Sequence, residues 1–197
     1  VWLRLKLLAD AGLVGLPNAG KSTFINAVTN AQAKVGEYAF TTTKPQLGVV
    51  RHHQREFVVA DIPGLIEGAA EGAGIGDRFL GHIERCKVLL HLVDANDESV
   101  TESYRIVRGE LENYGAGLTD KNFVVALNKI DTLDDELVAT LSAELEAASG
   151  GEVIPISAAA GTGVDWALDR LLEAVGPEAS AVGADDEGEE AIEWSPV

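Results

Sequence analysis

The sequence predicts an α/β fold, a mainly parallel six-stranded sheet flanked by helices, on three observations. Short apolar runs alternate with amphipathic helical patterns, the arrangement that covers a parallel sheet on both sides. Several of the runs are unbroken, as strands buried on both faces require. A stretch poor in side chains, GLPNAGKS from Gly15 to Ser22, follows the first run, and ligands of such folds bind beyond the carboxyl ends of the strands.

Each element has its own signal. Strands are expected at Ala11 to Gly15, Gly48 to Val50, Phe57 to Asp61, Val88 to Val93, Phe123 to Leu127 and Val153 to Ile156. A first helix is expected to start near Lys21. Tyr104, Val107, Leu111 and Tyr114 follow a 3-4-3 spacing, Leu137, Leu141 and Leu145 step by four, and Val164, Leu168, Leu171, Leu172 and Val175 mark a last helix. Each pattern gives one apolar face. No repeat of a solenoid or propeller is present.

Composition narrows the function classes. The chain has 197 residues, enough for one well-buried domain, and no apolar run long enough to span a bilayer. Its formal net charge of -17 opposes a grip on nucleic-acid duplex, which needs clustered Lys and Arg. The one cysteine, Cys86, permits no internal disulfide and reads as a small buried hydrophobe, so a cytoplasmic location is expected. The chain begins at Val1, contains no Met and shows no signal peptide, so it is expected to be a piece of a longer protein. After Pro177 seven acidic residues occur with no Lys or Arg, a pattern of a disordered tail, and Trp194 within it is assigned no function.

The glycine-rich stretch fits G-x-x-x-x-G-K-[ST] through Gly15, Gly20, Lys21 and Ser22. Such a loop lets successive backbone N–H groups curl around a phosphate with no Cβ in the way. Lys21 adds a positive charge toward the β and γ phosphates, Ser22 offers a hydroxyl to Mg²⁺, and the following helix aims its positive end at the anion. Gly15, Asn18, Ala19, Gly20, Lys21, Ser22 and Thr23 are the residues expected around the polyphosphate.

The loop by itself does not separate GTP from ATP. NKID, closing the strand Phe123 to Leu127, does. A carboxylate only accepts hydrogen bonds, so Asp131 can pair with the N1–H and exocyclic amine of guanine, whereas adenine has no donor at N1. Asn128 is expected to tie this loop to the phosphate loop, and the stem of Lys129 to cover the base. Asp61 in DIPG can hold the Mg²⁺ shell through water, and Gly64 can bring its N–H to the γ-phosphate. Phe40, Thr41, Thr42 and Thr43 lie between the first helix and the second strand, where a Thr hydroxyl can complete the Mg²⁺ shell while the γ-phosphate is present. Ser157, Ala158 and Ala159 can offer backbone N–H groups to the base.

GLPNAGKS, AFTTTKP, DIPGLIEGAAEGAGIGDRFLGHIERC, NKID and ISA together resemble the GTPase domain of the Obg family of bacterial ribosome-associated G proteins. The resemblance covers about Ala11 to Val175. It implies a P-loop NTPase with a Ras-like G domain at 11–176, a linker at 1–10 from an N-terminal domain that family members carry, and an acidic tail at 177–197. It further implies binding of GTP and GDP, Mg²⁺, slow hydrolysis, association with the large ribosomal subunit, and responsiveness to guanosine tetraphosphate. Ser22, Thr42 and Asp61 are the implied metal contacts; Lys21, Thr42 and Gly64 are the implied catalytic set; a monomer is expected.

Leu65 departs from Ras-like proteins, which carry there a Gln that orients the attacking water, so intrinsic hydrolysis should be slow. Similar G proteins with Asn at the position of Asn18 use its side-chain oxygen to hold K⁺ near the β and γ phosphates. Potassium-stimulated turnover is the resulting expectation. Three readings stay open: a slow GTPase switch, a guanine-nucleotide sensor with negligible hydrolysis, and an ATP-using P-loop enzyme, the last disfavoured by Asp131. His52, His53, His82 and His91 show no ligand spacing with Cys86 or with each other and read as surface or packing histidines, not a zinc site, and Arg78 and Arg85 read as solvated helix charges.

Overall fold

The computed structural model describes residues 9–29, 46–61, 85–114 and 118–177. Six strands, β1 (Ala9–Val14), β2 (Gln46–His52), β3 (Arg55–Asp61), β4 (Cys86–Asp94), β5 (Asn122–Asn128) and β6 (Val153–Pro155), form one sheet in the order β2-β3-β1-β4-β5-β6. The β2–β3 hairpin is antiparallel and every other pair is parallel, so the sheet is mainly parallel as the sequence predicts. Four helices accompany it among the described residues: α1 (Lys21–Val28), α2 (Val100–Tyr114), α3 (Asp135–Ser149) and α4 (Val164–Val175).

Alternation along the strands divides the core. Leu13, Leu90 and Leu92 pack with Phe24 and Ile25 of α1 and with Leu168 and Leu171 of α4. Their neighbours Val14 and Leu89 pack instead with Val107 and Leu111 of α2, and Val93 and Leu127 pack with Tyr104 of α2 and Leu145 of α3. Helices α1 and α4 therefore cover one face and α2 and α3 the other. No helix among the described residues is long and apolar enough to cross a membrane.

β2, β3, β4 and β5 run further than their expected apolar runs, whereas β1 ends at Val14 rather than Gly15 and β6 at Pro155 rather than Ile156. β1 begins at Ala9, so Ala9 and Asp10, expected in the linker, lie in the sheet. Asp10 is fully buried, and its carboxylate accepts the Val58 N–H at 3.0 Å and lies 3.1 Å from the Lys87 ammonium. β2 is an edge strand whose polar ends, Gln46 and Arg51–His52, extend the expected Gly48 to Val50 because an edge tolerates polarity. The hairpin turn places His53 and Gln54 at φ of 46° and 62°, the two left-handed positions of a two-residue hairpin loop.

α3 starts where Asp134 accepts the Leu137 N–H at 2.8 Å and stops at the left-handed Gly150. Its expected stripe is partly wrong: Leu145 is buried and Leu141 half-buried, but Leu137 is exposed. Leu145 and Leu141 pack with the cluster that holds Val93, Leu127 and Val153, and Leu137 is not among its members. Cys86 is buried, as expected, with its thiol pKa pushed up to about 12 by burial. Arg78 and His82 lie outside the described residues.

Candidate nucleotide-binding site

Parallel pairing brings the carboxyl ends of β1, β3, β4, β5 and β6 to one rim. The register sets Leu13 beside Asp61, Asp94 beside Asn128, and Leu127 beside Pro155. The loop from Gly15 to Gly20 leaves β1 at this rim and enters α1. A Cβ on Gly15 would stand 2.4 Å from the Leu92 carbonyl oxygen, so only glycine lets the chain turn there. Gly20 caps α1 in a left-handed conformation with φ 96°, without a side-chain hydrogen bond to the helix. That leaves the first-turn amides to an incoming anion. Lys21 folds its ammonium onto the Gly15 and Leu16 carbonyls at 2.9 and 3.0 Å, at the mouth of the loop. Asn18 is exposed at φ 65°, Ala19 is buried, and Ser22 and Thr23 are exposed.

The Ser22 hydroxyl donates to Asp61 Oδ2 at 2.8 Å, and Asp61 is buried at the last position of β3. The other oxygen, Oδ1, is buried and has no hydrogen-bond partner among the described residues. A hydroxyl and a carboxylate with an unused oxygen form a hard, all-oxygen donor set, the kind Mg²⁺ requires. Phe40, Thr41, Thr42, Thr43, Gly64 and Leu65 lie outside the described residues.

Asn128 joins the loops. Nearly inaccessible to solvent, its Nδ2 donates to the Ala19 carbonyl at 2.8 Å and its Oδ1 accepts the Ala158 N–H at 3.0 Å. The phosphate loop, the end of β5 and the Ser157–Ala159 turn thus share one side chain. Gly20 lies so close that a Cβ there would sit 2.2 Å from Asn128 Nδ2. The Ala158 amide, expected at the base, is therefore spent on orienting Asn128. Ser157 is fully buried and braces its turn, its Oγ accepting the Ala160 N–H at 3.0 Å and its N–H reaching the Thr162 carbonyl at 2.9 Å; Ala159 is exposed.

Lys129 takes φ 68° and pairs its ammonium with Asp94 at the end of β4. Burial works against the Asp94 carboxylate, but the hydrogen bonds from Lys129 and Asn96 outweigh it and lower its pKa. This contact was not predicted from the sequence, where the acid closing HLVD was the available signal. It extends Lys129 along the rim. Asp131 follows in the short turn Ile130–Thr132, exposed to solvent, with Thr132 Oγ1 bonded to the Lys129 carbonyl at 2.8 Å and to Asn96 at 3.0 Å. Ile130 N–H reaches the Ile156 carbonyl at 3.2 Å, so the turn is moored to the end of β6.

His91, opposite Val14 in the sheet, stacks on Tyr104 with ring centroids 5.0 Å apart. Burial, reinforced by the charges of Arg108 and Lys21, lowers its pKa to about 3. It is a packing histidine, as expected.

The family model described as 50S ribosome-binding GTPase matches residues 10–129. The chain is 73% identical over its whole length to a GTPase Obg from Sphingopyxis alaskensis and 64% identical to one from Rhizorhabdus wittichii. It spans 56% of the length of each of these relatives. Among solved structures it is similar to an Era variant from Aquifex aeolicus bound to GDP and AlF4⁻, at 25% identity and a TM-score of 0.69, covering 90% of this chain and 60% of that one. It is also similar to the FeoB G domain from Methanococcus jannaschii, at 27% identity and a TM-score of 0.59, covering 85% of this chain and 97% of that one. The P-loop, its Asn128-clamped rim and the six-stranded sheet are thus a G-domain fold, and the chain belongs to the 50S ribosome-binding GTPase family.

Proposed function

We propose that this chain is a guanine-nucleotide switch that binds GTP and GDP and slowly hydrolyses GTP to GDP and phosphate. The observation that carries the reading is Asn128, whose one amide locks the phosphate loop to both base-facing turns. Polyphosphate and base must then be held together as one ligand. Asp131 reads the guanine edge, the Lys129 stem covers the ring, and the Ala159 amide faces the base. The amides of Asn18 to Thr23 receive the polyphosphate, with Lys21 leaving its two carbonyls for the β and γ oxygens.

Ser22 and Asp61 would hold Mg²⁺ together with Thr42, and the ion, when bound, neutralises charge on the β and γ phosphates. Thr42 and Gly64 complete the catalytic set with Lys21 by reporting whether the γ-phosphate is present. Leu65 cannot hydrogen-bond to water, which keeps turnover slow. We assign Asn18 as a K⁺ contact that supplies part of the missing positive charge. Residues 9–176 act as the G domain, since β1 begins at Ala9, with the residues before it as a linker and 177–197 as an acidic tail. In a full-length cytoplasmic protein, monomeric in its switch cycle, this module works in assembly of the large ribosomal subunit and responds to guanosine tetraphosphate.

Calorimetry with GDP and ADP tests the base assignment. A site built around buried polar pairing rejects the wrong base by about 10⁴ to 10⁵. Asp131→Asn should abolish most of that preference; comparable binding of GDP and ADP by the parent chain would overturn the reading. Single-turnover phosphate release separates enzyme from sensor, and equal rates in NaCl and KCl would remove the Asn18 assignment.

A further inference from the structure

At the sheet end opposite the nucleotide rim, the β2–β3 turn meets α4. His52 Nε2 lies 2.7 Å and His53 Nε2 2.9 Å from the same oxygen, Oδ1 of Asp169. The three donor atoms all fall within 4.8 Å of one another. In an extended strand neighbouring side chains point to opposite faces. Here the left-handed φ of 46° at His53 breaks that alternation and sets the two rings side by side, with centroids 4.1 Å apart and planes at 49°. Asp169 arrives from the middle of a helix 117 residues away.

We propose that His52, His53 and Asp169 form a three-ligand site for a late first-row transition-metal ion of the Zn²⁺ type, with its remaining position open to water. Two imidazoles and one carboxylate suit Zn²⁺ and its neighbours and disfavour Mg²⁺. Metal–ligand bonds of about 2.0 to 2.1 Å at tetrahedral angles need donor atoms about 3.3 Å apart. The two His–Asp169 distances open to that value, and the separation of the two imidazole nitrogens adjusts with them, by rotations of the Asp169 carboxylate and the His53 ring, which are 44% and 71% exposed. His52, only 11% exposed, is the fixed ligand. The ion clips the hairpin to α4 beside a contact already there, that of the Arg55 guanidinium with the Gly176 carbonyl. The far end of the same hairpin is Gln46 beside Asp61, so the clip braces a strand that ends in the nucleotide site.

The test is a ZnCl2 titration of the full chain saturated with GDP and Mg²⁺, read by calorimetry, by thermal unfolding and by the visible absorption of Co²⁺ in place of zinc. The expected result is one Zn²⁺ per chain, a higher unfolding temperature with Zn²⁺ than with added Mg²⁺, and at least tenfold weaker Zn²⁺ binding in both His53→Ala and Asp169→Asn. Both changes are at exposed side chains remote from the nucleotide, so GDP affinity should be unchanged and reports intact folding. Absence of saturable Zn²⁺ binding, or equal affinity in the parent and the two variants, would overturn the proposal and leave Asp169 as an ordinary hydrogen-bond acceptor for two histidines.

Discussion

Asn128 and Gly20 are coupled by contact. The Asn128 side chain satisfies a buried carbonyl and a buried N–H at once, and truncation leaves both without partners. Asn128→Ala should therefore cost about 1 to 3 kcal/mol of stability as well as nucleotide affinity. Gly20→Ala attacks the same pair from the other side, because its Cβ would fall 2.2 Å from Nδ2 at a φ of 96°. Chemical denaturation of the two single variants and the double variant should show strong non-additivity, since each removes the same arrangement. Simple addition of the two losses would mean that Gly20 acts on the backbone alone. NKID and the glycine-rich loop were legible as motifs because their spacing is local; that Ala158 would orient Asn128 was not, because its amide meets Asn128 only in the folded chain.

At the scale of elements, burial separates residues that periodicity treats alike. Leu171 of α4 is fully buried against the sheet, whereas Leu137 at the start of α3 is 41% exposed. Leu171→Ala should destabilise by about 2 to 5 kcal/mol, and Leu137→Ala by less than about 0.5. Urea unfolding monitored by circular dichroism checks both, and similar losses at the two positions would contradict the packing described. Helix phase was readable in both segments. Which turn of α3 is covered depends on the neighbours it meets in the folded chain: Leu145 joins the cluster of Val93, Leu127 and Val153, and Leu137 does not.

For the whole molecule, buried His91 makes stability depend on pH. An exposed histidine titrates near 6.5, but in the folded chain burial and the nearby Arg108 and Lys21 charges lower this to about 3. A group with a depressed folded pKa contributes stability above its unfolded pKa and loses it as pH falls. The contribution is complete above about pH 6.5 and declines toward pH 3, at up to about 1.4 kcal/mol per pH unit. His91→Phe can keep the stack on Tyr104 without the titration, so its stability should fall less between pH 7 and 5, by about 1 to 2 kcal/mol, in denaturation at several pH values. Parallel pH profiles for parent and variant would contradict this. The carboxylates common to both cancel in the comparison.

What the sequence by itself determined is local: the alternation of apolar runs with amphipathic helices, the phosphate-loop spacing and the guanine-reading acid each depend on residues a few positions apart. The tertiary structure alone decided that Asn128 spans 109 residues to the Ala19 carbonyl, that Lys129 pairs with Asp94, and that two histidines of a turn converge on Asp169. Those meetings depend on strand order and register. They follow from which apolar faces pack together, a property of the assembled sheet that no stretch of chain carries alone.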